Sequence, residues 1–251
     1  MNCDAQRKVS FSFQPIVDLQ QHRVFAYEAL MRMPDGGSAG PLLKSLEGPA
    51  LHTFDRDARV AAVTLAASLG LDTGLSLNLL PQSITTTPDT LESTLRAART
   101  ARLRPEQLIL EVTEGEIIHD PIAFSAQINE WRTEGVRLAI DDFGAGYSGL
   151  NLLAEFQPDL VKLDMNLVRD VDAKGPRQAI VRAVLQACVD LGIEVIAEGV
   201  ETMQEFTWFR RHGVVLYQGY LFCPPVFESL RNPDLSRFVT SSPRPVQRRE
   251  S

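Results

Sequence analysis

The 251-residue chain is long for an ordinary single domain but typical of one α/β barrel, and its 44% hydrophobic content supports a sizeable core. A net charge of −7, with no stripe of lysine and arginine, excludes a nucleic-acid surface. No apolar run approaches the roughly 20 residues of a membrane span, and the polar start MNCDAQRKVS lacks the apolar core of a secretory signal.

Residues 1–10 read as an N-terminal extension and residues 11–238 as one folded unit. Short β-like runs alternate with longer helical patterns, the mark of a parallel α/β fold. Eight strands are predicted, over 11–18, 24–32, 75–79, 108–113, 137–141, 160–163, 194–197 and 214–218. The connection from Gln20 to Arg23 is too short for a crossover helix, so the first two strands form an antiparallel hairpin. The result is a (β/α)8 barrel with one reversed strand. Phe54, Ala58, Ala61, Leu65 and Leu69 mark the apolar face of one helix, and Ile180, Val184, Ala187 and Leu191 that of another. Asp120 followed by Pro121 reads as a cap and first helical residue. Gly70, Gly135, Gly192 and Gly213 stand where helices stop. Residues 239–251, rich in proline and charge, are expected to be a flexible, solvated tail. Cys3, Cys188 and Cys223 are odd in number and far apart, as for reduced thiols in a cytoplasmic protein, with Cys188 in the core. His22, His52, His119 and His212 show no ligand spacing and read as surface or structural residues.

The stretch AIDDFGAGYSGL, residues 139–150, carries the chemistry. Asp141 and Asp142 close an apolar run and open into a glycine-bearing loop, where carboxylates can hold hard cations and the backbone can approach a ligand. An Asp–Asp pair before glycines is also a common turn; the ends of the other strands favour the cation reading. Around the rim where a β/α barrel places its chemistry stand Gln14, Glu28, Asn78, Glu111, Asp141, Asp142, Lys162, Glu198 and Gln218. Each alone is as readily a strand-edge charge, a turn residue or a salt-bridge partner; so many on one rim point to a site. Alternation puts Lys162 and Asp164 on one face of their strand, and Ile109, Glu111 and Thr113 on one face of theirs. Carboxylates converging on one pocket repel unless cations lie between them, and oxygen-only ligands select Mg²⁺ or Mn²⁺ over zinc. Lys162 is either a neutralising partner or a group that holds and polarises water.

With these residues in view, the chain resembles the EAL-domain family of bacterial cyclic di-GMP phosphodiesterases. The resemblance runs from about Phe11 to Pro225. It rests on QPI at 14–16, YEALMR at 27–32, LNL at 77–79, LEVTE at 110–114, DDFGAGYSGL at 141–150, VKLD at 161–164, AEGVET at 197–202 and QGY at 218–220. It implies a modified TIM-like barrel with one antiparallel strand, and hydrolysis of cyclic di-GMP to linear pGpG with two Mg²⁺ or Mn²⁺ ions. Glu28, Asn78, Glu111 and Asp141 would hold one ion, with Asp141 bridging to a second near Asp142 and Glu198. Lys162, with Glu28 and Glu198, would be catalytic, Lys162 orienting the hydrolytic water; Gln14, Arg32 and Gln218 would contact the nucleotide. Glu114 and Glu201 would steady the loop over 142–149, with Asp164 also behind the ligands. A homodimer formed near that loop is implied as well. The rival reading is a catalytically silent cyclic di-GMP receptor or protein-interaction module. Departures from the family pattern are mild: Met33 stands where tryptophan is common, GAGYSGL replaces GTGYSSL, and Val215, Leu216 and Tyr217 precede QGY without the frequent Cys-Asp pair.

Overall fold

The computed structural model describes residues 9–238 apart from 88, 117, 119, 147 and 148. Cys3, His119, most of the N-terminal extension and the predicted tail lie outside the described residues.

Nine strands follow in chain order: β1 (Ser10–Asp18), β2 (Arg23–Arg32), β3 (Gly74–Asn78), β4 (Leu108–Thr113), β5 (Arg137–Phe143), β6 (Leu160–Leu163), β7 (Glu194–Ala197), β8 (Leu216–Tyr217) and β9 (Val226–Phe227). The helices are α1 (Gly40–Lys44), α2 (Gly48–Ser68), α3 (Pro81–Thr86), α4 (Thr90–Thr100), α5 (Pro121–Thr133), α6 (Gly149–Phe156), α7 (Met165–Val168), α8 (Gly175–Leu191) and α9 (Met203–Arg211). Strands β2 to β8 run parallel, and β1 closes the ring antiparallel to both β2 and β8. This is the reversed strand that the short hairpin connection dictates. The unexpected β9 pairs with β1 at Ser12 and Phe13, beyond the two residues where β1 meets β8.

Two apolar layers hold the barrel. Leu75, Leu108, Leu138, Val161 and Leu163 point outward into the layer under the helices. Ile16, Ala26, Ile109, Ala139, Leu160, Ile196 and Leu216 fill the barrel interior as a separate cluster. Parallel strands buried on both faces read as near-continuous apolar runs, and these do until their last residues.

Helix ends follow the sequence closely. The Asp120 carboxylate accepts the Ala123 backbone N–H at 2.9 Å with Pro121 in the first turn. Gly70, Gly135, Gly192 and Gly213 all have positive φ directly after a helix, the conformation that costs glycine least. The expected apolar stripe of α8 needs correction: Val181, Val184, Leu185 and Cys188 are buried, whereas Ile180 and Leu191 are exposed. The helix has apolar residues at helical spacing on two sides, and packing against the sheet selects the one that leads into buried Ile193. His52 is buried against the Thr86 hydroxyl, and His212 bonds the Trp208 carbonyl at the surface. Both are structural, as expected.

Candidate metal centre

Above the inner apolar layer, each strand places its next inward residue two positions on. Ile16 gives way to Gln14 on the reversed strand, Ala26 to Glu28, Ile109 to Glu111, Ala139 to Asp141 and Leu160 to Lys162. Ile196 likewise leads to Glu198, and Leu216 to Gln218. A regular strand period of two therefore converts an apolar plug into a polar ring at the carboxyl ends.

Lys162 is the hub. Its side chain is 0% exposed, and its ammonium lies 2.9 Å from Asp141, 3.2 Å from Glu28, 3.2 Å from Glu111 and 3.5 Å from Glu198. Burial alone would pull the lysine down, but Glu111, Glu28, Asp141 and Glu198 outweigh it and hold the ammonium well above its ordinary value. One cation faces more carboxylates than it can neutralise. Burial, opposed by Lys162, raises the Glu111 carboxyl well above the usual range, with Glu28 and Asp141 adding to the rise. Glu198 is pushed up to about 8, by burial first and then by Glu28, Asp141 and Asp142 against the pull of Lys162. Asp142 rises to about 6, through burial and then Asp141 and Asp164.

A break in regularity brings Asp142 in. Neighbours on a strand face opposite sides, yet carboxylate oxygens of Asp141, Asp142 and Glu198 lie within 4.8 Å of one another. Asp142 has φ 54°, and the β5–β6 register shifts between Ile140 and Phe143. This bulge turns both aspartates toward the barrel mouth. A second group, Glu28, Glu111 and Asp141, meets the same distance limit, with Asp141 common to both. Glu111 Oε2 has no hydrogen-bond partner among the described residues, while its Oε1 takes the Ser76 hydroxyl at 2.6 Å. Idle buried carboxylate oxygens and an all-oxygen donor set fit hard divalent cations such as Mg²⁺ or Mn²⁺. Asn78 stands opposite Glu111 in the β3–β4 register, exposed at the mouth.

The Glu114 carboxylate accepts backbone N–H groups of Gly144 at 2.6 Å, Gly149 at 2.7 Å and Gly146 at 3.2 Å, which ties down the loop after β5. A Cβ on Gly149 would meet the Phe143 ring at 2.7 Å, so the close approach requires glycine. Asp164 caps α7 by accepting the Asn166 amide at 2.9 Å. Glu201 pairs with Arg169 at the surface, just before the turn into α9.

Two of the residues expected to contact the nucleotide stand in the ring itself. Gln218 is 0% exposed and donates to Glu28 Oε2 at 2.6 Å; Gln14 is buried and donates to the Cys223 carbonyl at 3.1 Å. Both amides stand within the ring, beneath its mouth, where the inward alternation of β1 and the tail of β8 carries them. Arg32 keeps an open position. It lines a cavity of about 590 Å³ bounded by the ends of β2 and β3 and by α1 and α2, beside Asn78. Sequence reasoning missed Ser76, whose place between Gly74 and Asn78 on an alternating strand was its only signal. It also missed Arg59, buried on α2 behind Asn78, and its partly buried partner Asp55.

A profile of the EAL domain matches residues 3–225. The blue light- and temperature-regulated antirepressor BluF of Escherichia coli is 37% identical over 213 residues, 84% of this chain and 53% of BluF. The cyclic di-GMP phosphodiesterase PA2567 of Pseudomonas aeruginosa is 31% identical over 85% of this chain and 38% of its own length. BlrP1 of Klebsiella pneumoniae, solved as a manganese/cy-diGMP complex, superposes with a TM-score of 0.85 at 41% identity, covering 91% of this chain and 59% of that one. The chain thus spans between 38% and 59% of the length of these relatives.

Proposed function

The chain belongs to the EAL-domain family, and on that premise we propose that it hydrolyses cyclic di-GMP, opening one phosphodiester to give linear pGpG. The observation that carries the reading is the buried Lys162 ammonium ringed by Asp141, Glu28, Glu111 and Glu198 within 3.5 Å, with two overlapping carboxylate groups at its edge. Glu28, Asn78, Glu111 and Asp141 would hold one Mg²⁺ or Mn²⁺, and Asp141, Asp142 and Glu198 another. When bound, such a pair supplies Lewis-acid neutralisation of the scissile phosphodiester and a water acidic enough to attack near neutral pH.

The protein's own groups do the rest. Lys162, held charged, donates to the attacking water and fixes its line of approach. Glu28 and Glu198 orient that water, and the proton it gives up passes to one of these carboxylates and on to the ribose oxygen that leaves as its P–O bond breaks. Gln218 donates to both Glu28 and Gln14, which fixes the Glu28 carboxylate in the ring. Arg32 presents its guanidinium to a phosphate, and the cavity it lines has room for one guanine. Glu114 holds the loop so that Asp142 stays at the site.

We place the protein in the cytoplasm as a homodimer. Free, buried Cys188 and Cys223 suit a reducing compartment. Ile122 and Leu150, 84% and 66% exposed at the starts of α5 and α6, the latter directly after the Glu114-anchored loop, supply an apolar surface for a second copy. Sedimentation over a dilution series tests the dimer, and constant specific activity across the transition would detach it from catalysis.

BluF's description as an antirepressor favours a second reading, a cyclic di-GMP receptor that signals by protein contact. Chromatography of cyclic di-GMP incubated with protein and Mn²⁺ separates the two. Formation of pGpG is expected; unchanged nucleotide, with Mn²⁺ and nucleotide both bound, would establish the receptor.

A further inference from the structure

We propose that the buried Asp55–Arg59 ion pair of α2 is a positioning clasp for the metal ligand Asn78. Arg59 is 3% exposed and is paired one helical turn away with Asp55, itself little exposed. The Arg59 Nη1 reaches the Asn78 backbone carbonyl at 3.5 Å. Helix α2 therefore meets the β3–α3 turn at the Asn78 carbonyl, where the chain leaves the barrel.

The chemistry of the pair argues for more than stability. Burying two charges costs so much desolvation that an ion pair is often no better than apolar residues of the same size. Here it stands behind the one uncharged member of the expected ligand set. Glu28, Glu111 and Asp141 are held by strand geometry and by Lys162. Asn78 lies at the last residue of β3, exposed, with no side-chain hydrogen bond of its own among the described residues. Its orientation depends on the turn, and the turn depends on α2. Partners standing behind metal ligands are typically worth about 10–100-fold in metal affinity.

The inference rests on Asn78 binding metal, so the experiment includes Asn78→Ala. Mn²⁺ binding to the full chain would be measured by calorimetry for wild type, Arg59→Met, Arg59→Lys, Asp55→Asn and Asn78→Ala, with kcat and KM for cyclic di-GMP alongside. Arg59→Met is expected to weaken Mn²⁺ binding about 10–100-fold and to recover most of kcat at saturating Mn²⁺; the Mn²⁺ affinity is the deciding readout, because Arg59 also lines the cavity beside Arg32 and its loss changes KM independently. Arg59→Lys is expected to fall between it and wild type. If Arg59→Met does not fold, Asp55→Asn, which keeps the shape, is expected to weaken Mn²⁺ binding in the same way. Folded variants with wild-type Mn²⁺ affinity, beside a weakened Asn78→Ala, would overturn the clasp alone. Unchanged affinity in Asn78→Ala would overturn the ligand assignment and the clasp with it.

Discussion

Replacing Glu114 by alanine removes the single acceptor that three loop amides share. Two of the bonds are short, to Gly144 at 2.6 Å and Gly149 at 2.7 Å, and the third, to Gly146, is 3.2 Å. Hydrogen bonds to a charged acceptor contribute roughly 1.5–3 kcal/mol each. Only the Gly149 amide is buried, so solvent would replace much of the Gly144 and Gly146 bonding. A loss of about 3–4 kcal/mol in the ordering of the loop is reasonable on this basis, or roughly 10²–10³ in the population with the loop held. Asp142 is the residue from which that loop departs, in a left-handed conformation that only its surroundings maintain. Glu114→Ala should therefore lower kcat by about two orders of magnitude while Glu28, Glu111, Asp141 and Lys162 stay in place. The assay pairs steady-state turnover of cyclic di-GMP in Mn²⁺ with hydrogen exchange at the Gly144 and Gly149 amides. Faster exchange with wild-type kcat would refute the coupling of loop to site; unchanged exchange would refute the bond energies.

Lys162→Ala should lower kcat by about 10²–10⁴ with KM little changed, since orienting water matters most in the transition state; a defect confined to KM would make Lys162 a phosphate clamp instead. Glu28→Ala and Asp141→Ala should each abolish turnover in folded protein, and near-wild-type activity of either at saturating Mg²⁺ would falsify the ligand set. Ca²⁺ should bind yet support little turnover, because a larger ion with looser geometry organises the site poorly; equal rates with Ca²⁺ and Mg²⁺ would contradict this. Asp142 and Glu198 are raised to about 6 and about 8, above their unfolded values, so the stability they contribute is complete below pH 4 and lost as pH climbs through 6 and then 8. Chelated protein should accordingly melt at lower temperature at pH 9 than at pH 6, Mn²⁺ should restore more at pH 9, and its binding near pH 7 should release protons. A melting temperature of chelated protein that holds steady or increases over this range would count against the cluster.

The strand ends were legible because two simple periods govern them. Alternation places Glu111 above Ile109 and Lys162 above Leu160 wherever the strand stays regular, and a four-residue connection leaves β1 no choice but to run antiparallel. The helix ends at Asp120 and Gly192 were legible for the same local reason, that each satisfies backbone groups within a few residues of itself.

Regular alternation would have turned Asp142 away from Asp141; only the bulge against β6, a contact between segments far apart in sequence, brings both to Glu198. Closure of the ring brought Gln218, more than two hundred residues on from Gln14, against both Gln14 and Glu28. Asp55 and Arg59, four apart on a helix, read in sequence like any solvated surface pair. Packing of α2 against the β3–α3 turn put them in the interior, where desolvation makes each depend on its partner. Sequence by itself thus determined the inventory of charges and the element carrying each, since both follow from local periodicity. Tertiary structure alone decided which charges share one low-dielectric space, because that depends on contacts no local pattern encodes.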